Sequence, residues 1–144
     1  MVSPSYDIIT DFREHGGHVT SGPFVDKPLL LLTTLGARSH ARRTIPLIYS
    51  RDGERYVIVA SKGGAPHNPA WYHNLLANPV VEIEVEGKRL LARASVADPA
   101  ERRRLYDQQI AILPGFAEYE RRTSRQIPVV VLEPIPGPEG TASS

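Results

Sequence analysis

The chain has 144 residues, a formal net charge of +1, an isoelectric point near 8.1 and no cysteine. That length is one domain, large enough to bury roughly 68–70% of its unfolded surface without a metal or disulfide staple. The missing cysteines exclude disulfide frameworks, thiolate zinc sites, iron–sulfur clusters and thiol nucleophiles and fit a reducing cytoplasm, while the balanced charge means that any basic site is a local cluster.

Residues 5–15 (SYDIITDFREH) place Ile8, Ile9 and Phe12 at helical spacing ahead of Gly16-Gly17, a stop signal, so a short amphipathic helix is predicted. Such a helix can pack on the body, cover a pocket, or rest on a membrane surface as a peripheral contact. Met1 to His15 lacks the basic-then-apolar order of a signal peptide, and the apolar run Pro28 to Leu32 is far too short to span a bilayer. The chain therefore divides into a lead-in over 1–27, a body over 28–134 and a tail over 135–144 rich in Pro, Gly and Ser, expected to be disordered.

The body opens with PLLLLTT, Pro28 to Thr34, a buried strand. Residues 35–44 (LGARSHARRT) follow, the densest basic stretch in the chain, and Ile45 to Ser50 resumes as a strand. Arginines on one tip repel each other unless an anion offsets the charge; a solvated hairpin tip is the plainer reading. Arg51-Asp52-Gly53-Glu54 makes a turn, which puts Arg43 and Lys62 at the same end of adjacent strands.

Val57, Ile58 and Val59 form a β-branched run ending at Ala60-Ser61-Lys62-Gly63-Gly64. Two glycines admit positive φ and close approach of a ligand, and Lys62 sets a positive charge beside them, the outline of an anion cradle. Asn68-Pro69, an N-cap with proline at the first position, opens a helix through Trp71 and Leu75 to Asn78-Pro79. Its N-terminus adds a further attraction for negative charge. An ordinary strand-to-helix connection with a solvated lysine has the same local features.

Val80 to Glu86 alternates, turns at Glu86-Gly87 and returns over Lys88 to Ala97, with Glu84 opposite Arg89. Asp98-Pro99 with Glu101 predicts a capping box on a helix over Pro99 to Ile112, broken by Leu113-Pro114-Gly115. Residues 116–122 carry Phe116 and Tyr119 on one helical face, and Ile127 to Glu133 is the last strand. About six mostly antiparallel strands with short flanking helices predict an α+β domain built on a small β-barrel.

Other chemistries find little support. His67 and His73 lie six apart with no carboxylate at ligand spacing, so no metal site is assigned. Ser61 has no histidine or carboxylate neighbour that would mark a triad, and neither G-x-G-x-x-G nor a P-loop occurs. The basic loop lacks the interleaved aromatics of a nucleic-acid site.

Three segments, LLLLTTLGARSHARRTIPLIY, DGERYVIVASKGGAPHNPAWYHNLLANP and PGFAEYERRTSRQIPVVVLEP, resemble the deazaflavin-dependent nitroreductase family of actinobacteria over about residues 28–134. The resemblance implies a split β-barrel and hydride transfer from reduced coenzyme F420 to flat electron-poor acceptors: quinones, coumarin-type lactones and aflatoxins, with nitroaromatics a further class. It implies that Arg38, Ser39, Arg42 and Arg43 meet the phosphate and oligoglutamate tail, with Lys62, Gly63 and Gly64 completing the cradle. Pro46 and Ile48 would line the same site, Ala60 and Ser61 would border the ring, and Trp71, Asn74 and Leu75 would flank it. Tyr119 matches a tyrosine on the substrate side, and either its hydroxyl or that of Ser61 would serve the acceptor as donor. Leu113 and Phe116 stand where a nitroimidazole-activating relative has tyrosines, and Ile48 replaces an aromatic, departures that disfavour nitroimidazoles. A non-catalytic carrier of a deazaflavin or of FMN is the alternative from another functional class.

Overall fold

The computed structural model describes residues 7–136. The chain runs α1 (Ile8–Glu14), β1 (Leu29–Leu35), β2 (Arg42–Ile48), β3 (Ser50–Asp52), β4 (Arg55–Val59), a 3-10 turn (Lys62–Gly64), α2 (Ala70–Ala77), β5 (Val80–Val85), β6 (Lys88–Val96), α3 (Pro99–Ile112), α4 (Gly115–Arg121) and β7 (Val129–Pro134). The predicted helix start at Ser5 and the tail from residue 137 lie outside the described residues.

Every strand pairing is antiparallel, in the order β2-β1-β5-β6-β7-β4-β3. The two edges of this sheet, β2 and β3, are successive stretches of chain with only Tyr49 between them. A sheet whose edges are joined by one residue has to curl until they meet, which gives the expected α+β split barrel. There are seven strands rather than about six because the predicted run Ile45 to Ser50 changes partners at Tyr49. The Tyr49 N–H ends the pairing with β1 by donating to the Pro28 carbonyl at 3.1 Å, and Ser50 starts the pairing with β4 opposite Val57. At this switch the Ile48 carbonyl accepts from Gln109 Nε2 of α3 at 3.1 Å, in a fully buried position.

Strand alternation sorts the core onto two faces. Leu30, Leu32, Tyr56, Ile58, Val130 and Leu132 fill the inside of the curl together with Trp71 and Leu75 of α2. Leu29, Leu31, Val57, Val59, Val129 and Val131 point the other way, onto Phe12 of α1, Leu105 and Tyr106 of α3 and Phe116 of α4. Both faces of β1 are thus covered, which is why its apolar residues run without a break.

Phe12 is 3% exposed, so the apolar side of α1 is turned to the body. Asp7 caps the helix by accepting from the Ile9 N–H at 3.0 Å, and Arg13 grips Glu84 of β5 with two hydrogen bonds of 2.9 and 2.7 Å. The register Glu84 opposite Arg89 is as expected and the two side chains pair at 3.8 Å, with Arg13 sharing Glu84 and Arg89 also reaching Glu82 at 3.1 Å. The β5–β6 turn holds Glu86 at φ +53°, a conformation L side chains rarely adopt. Its carboxylate is anchored by Arg51 at 2.9 Å and by the hydroxyls of Tyr49 and Tyr56, both at 3.2 Å, contacts that a glycine there would lack. Asp98 caps α3 through the Glu101 N–H at 2.9 Å; the reciprocal half of the expected box is absent, since Glu101 turns its carboxylate to Arg55 at 3.2 Å. Among the described residues, no helix is long and apolar enough to cross a membrane.

Asp52, at the β3–β4 turn, accepts from Arg104 of α3 at 3.0 and 3.3 Å and from Arg55, and these bonds pull its carboxyl down to about 2. An unfolded Asp titrates near about 4, so the folded state binds fewer protons: this stabilisation is complete above about pH 4 and lost as the pH falls toward the folded value. Urea midpoints followed downward from neutral pH should fall less steeply in Asp52→Asn than in the wild type, and parallel profiles would remove Asp52 from the acid response.

Candidate active site

Where β1 ends and β2 begins, a cavity of about 650 Å³ opens between residues 34–45 and the first turns of α2. The antiparallel register sets Thr34 opposite Arg43, and the period of two along β2 brings Arg43 and Ile45 to one face. Between the strands, residues 36–41 are closed by Gly36 N–H to Ala41 carbonyl (2.8 Å), His40 N–H to Gly36 carbonyl (3.0 Å) and Ala41 N–H to Ser39 Oγ (3.1 Å). A Cβ on Gly36 would stand 2.4 Å from Ser39 Oγ, so a side chain there would push that hydroxyl off the Ala41 N–H. Asn74 ties the loop to α2: its Oδ1 accepts from the Ala37 N–H at 3.0 Å and its Nδ2 donates to Thr34 Oγ1 at 3.1 Å.

Of the residues expected in the site, Arg38, Ser39, Arg43, Trp71 and Asn74 line this cavity. Thr34, Gly36, Ala37, Ile45, Ala70 and His73 line it as well and were not singled out, although the alternation from Arg43 to Ile45 and the helical spacing from Ala70 to Asn74 signalled two of them. Arg42 belongs to β2 rather than to the loop and bonds Glu82 at 2.9 Å. Pro46 is half-buried opposite Leu31, Ile48 is buried in the outer core, and Leu75 and Ala60 are buried in the inner one. Among the described residues neither Arg38 nor Arg43 has an acidic partner, and both are exposed.

The Lys62–Gly64 turn has the left-handed backbone expected of a glycine pair, with φ of +48°, +63° and +83°. It does not stand beside Arg43 on an adjacent strand, because β2 pairs with β1 whereas β4 pairs with β3 and β7. Gly64 is required by packing: a Cβ would lie 2.8 Å from Arg122 Cβ and 2.9 Å from the Tyr119 carbonyl at the end of α4. Gly63 faces open space. Nor does Asn68 cap α2; the cap position is Pro69, and Asn68 Oδ1 accepts from Arg125 Nη1 at 2.6 Å. Arg125 also binds the Ala60, Ser61 and Ala65 carbonyls, and nothing in the spacing of the sequence marked it.

Tyr119 of α4 packs edge-on against Phe116 with ring centres 5.2 Å apart, under the Arg122 guanidinium at 5.9 Å. Phe116 is 7% exposed and its carbonyl accepts the Tyr106 hydroxyl at 2.7 Å, so Phe116 backs the surface that half-buried Leu113 and Tyr119 present. Among the described residues no group of three or more His, Asp or Glu side chains is placed to hold a metal ion.

A family model described as F420H2-dependent quinone reductase matches residues 8–134. The chain is 49% identical over 114 residues to an F420H2-dependent quinone reductase from Mycobacterium tuberculosis, covering 73% of this chain and 72% of that one. A solved structure described as an F420-H2 dependent reductase is 38% identical with a TM-score of 0.68, covering 74% of this chain and 94% of the other. Another, described as a domain-swapped dimer, is 35% identical with a TM-score of 0.71 and covers 87% and 91% of the two chains.

Gly64→Ala combines a positive φ with backbone at 2.9 Å, so it should destabilise the protein by about 1–3 kcal/mol or more, whereas Gly63→Ala, strained but unobstructed, should cost only about 1. Urea unfolding of both variants tests this; equal losses would mean that α4 does not press on Gly64.

Proposed function

The chain belongs to the F420H2-dependent quinone reductase family, and we propose that it binds reduced coenzyme F420 between residues 35–44 and residues 60–75 to reduce flat, electron-poor acceptors of the quinone type. The observation that carries this reading is the pair Arg38 and Arg43, exposed and without acidic partners among the described residues, on a cavity walled by Trp71. The residues fit an anionic cofactor with an aromatic ring. Unpaired guanidinium groups match phosphate and carboxylate oxygens, and the neighbouring apolar wall matches a ring that has to be shielded from water.

Coenzyme F420, when bound, supplies a hydride. The protein is left to bind, orient and handle protons. Arg38, Arg43 and Ser39 take the phosphate and the tail carboxylates, and Lys62 adds a further positive charge from the 60–64 segment. Ala70 and Trp71 close the apolar side. The acceptor lies on the side of Leu113 and Tyr119, where the hydroxyl of Tyr119 or Ser61, or a water, donates to charge arriving on the acceptor oxygen. The apolar Leu113 surface favours fused-ring quinones, with coumarin-type lactones next, over polar nitroimidazoles.

Fluorescence titration with coenzyme F420 and with FMN tests the cofactor. Arg43→Ala and Lys62→Ala should each weaken F420 binding by about 1.5–3 kcal/mol, less at high salt, as for exposed charged hydrogen bonds. Tighter binding of FMN would overturn the assignment, binding without turnover of any quinone would favour the carrier alternative, and unchanged affinity in both variants would place the tail elsewhere.

Steady-state rates with a quinone, a coumarin lactone and a nitroimidazole test the acceptor side. Tyr119→Phe should lower kcat more than it changes F420 affinity, because a donor to developing charge acts mainly in the transition state. Fastest turnover of the nitroimidazole, or a silent Tyr119→Phe, would refute the roles given to Leu113 and Tyr119.

A further inference from the structure

Arg125 lies in the connection between α4 and β7, distant in sequence from the segment it touches. Its Nη2 donates to the carbonyls of Ala60 (3.2 Å) and Ser61 (2.9 Å), its Nε to the carbonyl of Ala65 (2.9 Å) and its Nη1 to Asn68 Oδ1 (2.6 Å). All of these acceptors belong to residues 60–68, and they flank the left-handed Lys62–Gly64 turn on both sides. Among the described residues no carboxylate contacts this guanidinium, and burial pushes its pKa down. A charged group kept half-buried on neutral oxygens alone is there for the geometry it imposes on them.

That geometry has a definite outcome. Across a trans peptide the C=O and N–H point in opposite directions, so turning the Ala60 and Ser61 carbonyls toward Arg125 turns the N–H groups of Ser61 and Lys62 away from it. Among the described residues neither N–H has an acceptor. A guanidinium bonded to the carbonyl side of a peptide also polarises it, which strengthens the N–H on the other side as a donor.

We infer that Arg125 is a positioning residue for the cofactor: it presents the Ser61 and Lys62 amides as fixed donors to an electron-rich edge of the deazaflavin. The inference rests on the F420 reading above. A lysine at this position would keep the charge but lacks the planar fork that reaches several oxygens at once.

The test compares the wild type, Arg125→Lys and Arg125→Ala by amide hydrogen exchange without cofactor, by F420 affinity and by steady-state kinetics with a quinone. Exchange at the hydrogen-bonded amides of Gly64 and Ala65, which close the turn, should rise in both variants. F420 affinity should fall about tenfold or more, the loss expected when charged hydrogen bonds disappear, in Arg125→Lys as well as in Arg125→Ala. The KM for the quinone should stay unchanged. Millimolar guanidinium, but not sodium at equal ionic strength, should restore affinity to Arg125→Ala, a recovery that general destabilisation would not produce. If Arg125→Ala fails to fold, Arg125→Lys and Asn68→Ala, which removes a single bond of the clamp, carry the comparison. Wild-type exchange and affinity in Arg125→Lys would overturn the inference. Altered exchange with unaltered F420 affinity would also overturn it, leaving the clamp structural. A wild-type protein that binds no F420 would instead bring down the cofactor reading, and with it the purpose assigned to the clamp.

Discussion

Tyr49 is the only residue between the two edge strands of the sheet, and that short link constrains the rest of the molecule. The chain cannot lie flat with β2 at one edge and β3 at the other, so the sheet curls and the strands acquire an inside and an outside. Tyr49 is buried at the seam, where its N–H meets Pro28, its ring packs edge-on against Tyr56 at 5.6 Å and its hydroxyl donates to Glu86. Burial, with the Glu86 carboxylate beside it, pushes its phenol up to about 12, so it stays a donor at any ordinary pH. Gln109 completes the seam by covering the Ile48 carbonyl where the strand changes partners.

From this closure follows the placement of the site. The inner face fills with side chains and with Trp71 and Leu75 of α2, which brings the start of that helix against the β1–β2 connection. Asn74 then joins helix to loop through backbone and side chain alike, and the cavity forms along their junction. On the outer face α3 and α4 pack against the same sheet, and α4 comes so close to the Lys62–Gly64 turn that only glycine fits at position 64. The two basic segments are therefore built by different layers: one by α2 and the strand ends, the other by α4 and Arg125.

Charge pairing separates structural arginines from those available to a ligand. Arg13, Arg42, Arg51, Arg55, Arg102, Arg103, Arg104 and Arg121 all hold carboxylates, several of them fastening helices to the barrel. Arg38 and Arg43 hold none among the described residues and border the cavity. An exposed ion pair contributes little to stability, but pairing with Glu82 offsets the charge of Arg42, whereas its neighbour Arg43 has no such partner among the described residues. In a chain of net charge +1 the local field at the site thus arises from which arginines lack partners rather than from how many there are.

The local features were legible because they depend on near neighbours. The α3 bounds Pro99–Ile112, the Glu84–Arg89 register and the left-handed Gly63-Gly64 pair follow from capping, alternation and glycine chemistry acting within a few residues, and the sequence by itself determined them, whereas the left-handed Lys62 before the pair was not foreseen. The family-bearing segments likewise pointed to a barrel and to reduced coenzyme F420 before any contact was known. What spacing could not reveal was partner choice. The strand break at Tyr49, Arg42 turned to Glu82 and Asn68 turned from helix cap to Arg125 acceptor all depend on groups distant in sequence. A hydrogen bond or an ion pair is decided by which donor is brought within about 3 Å of which acceptor, and only the closed barrel with its helices in place sets that distance.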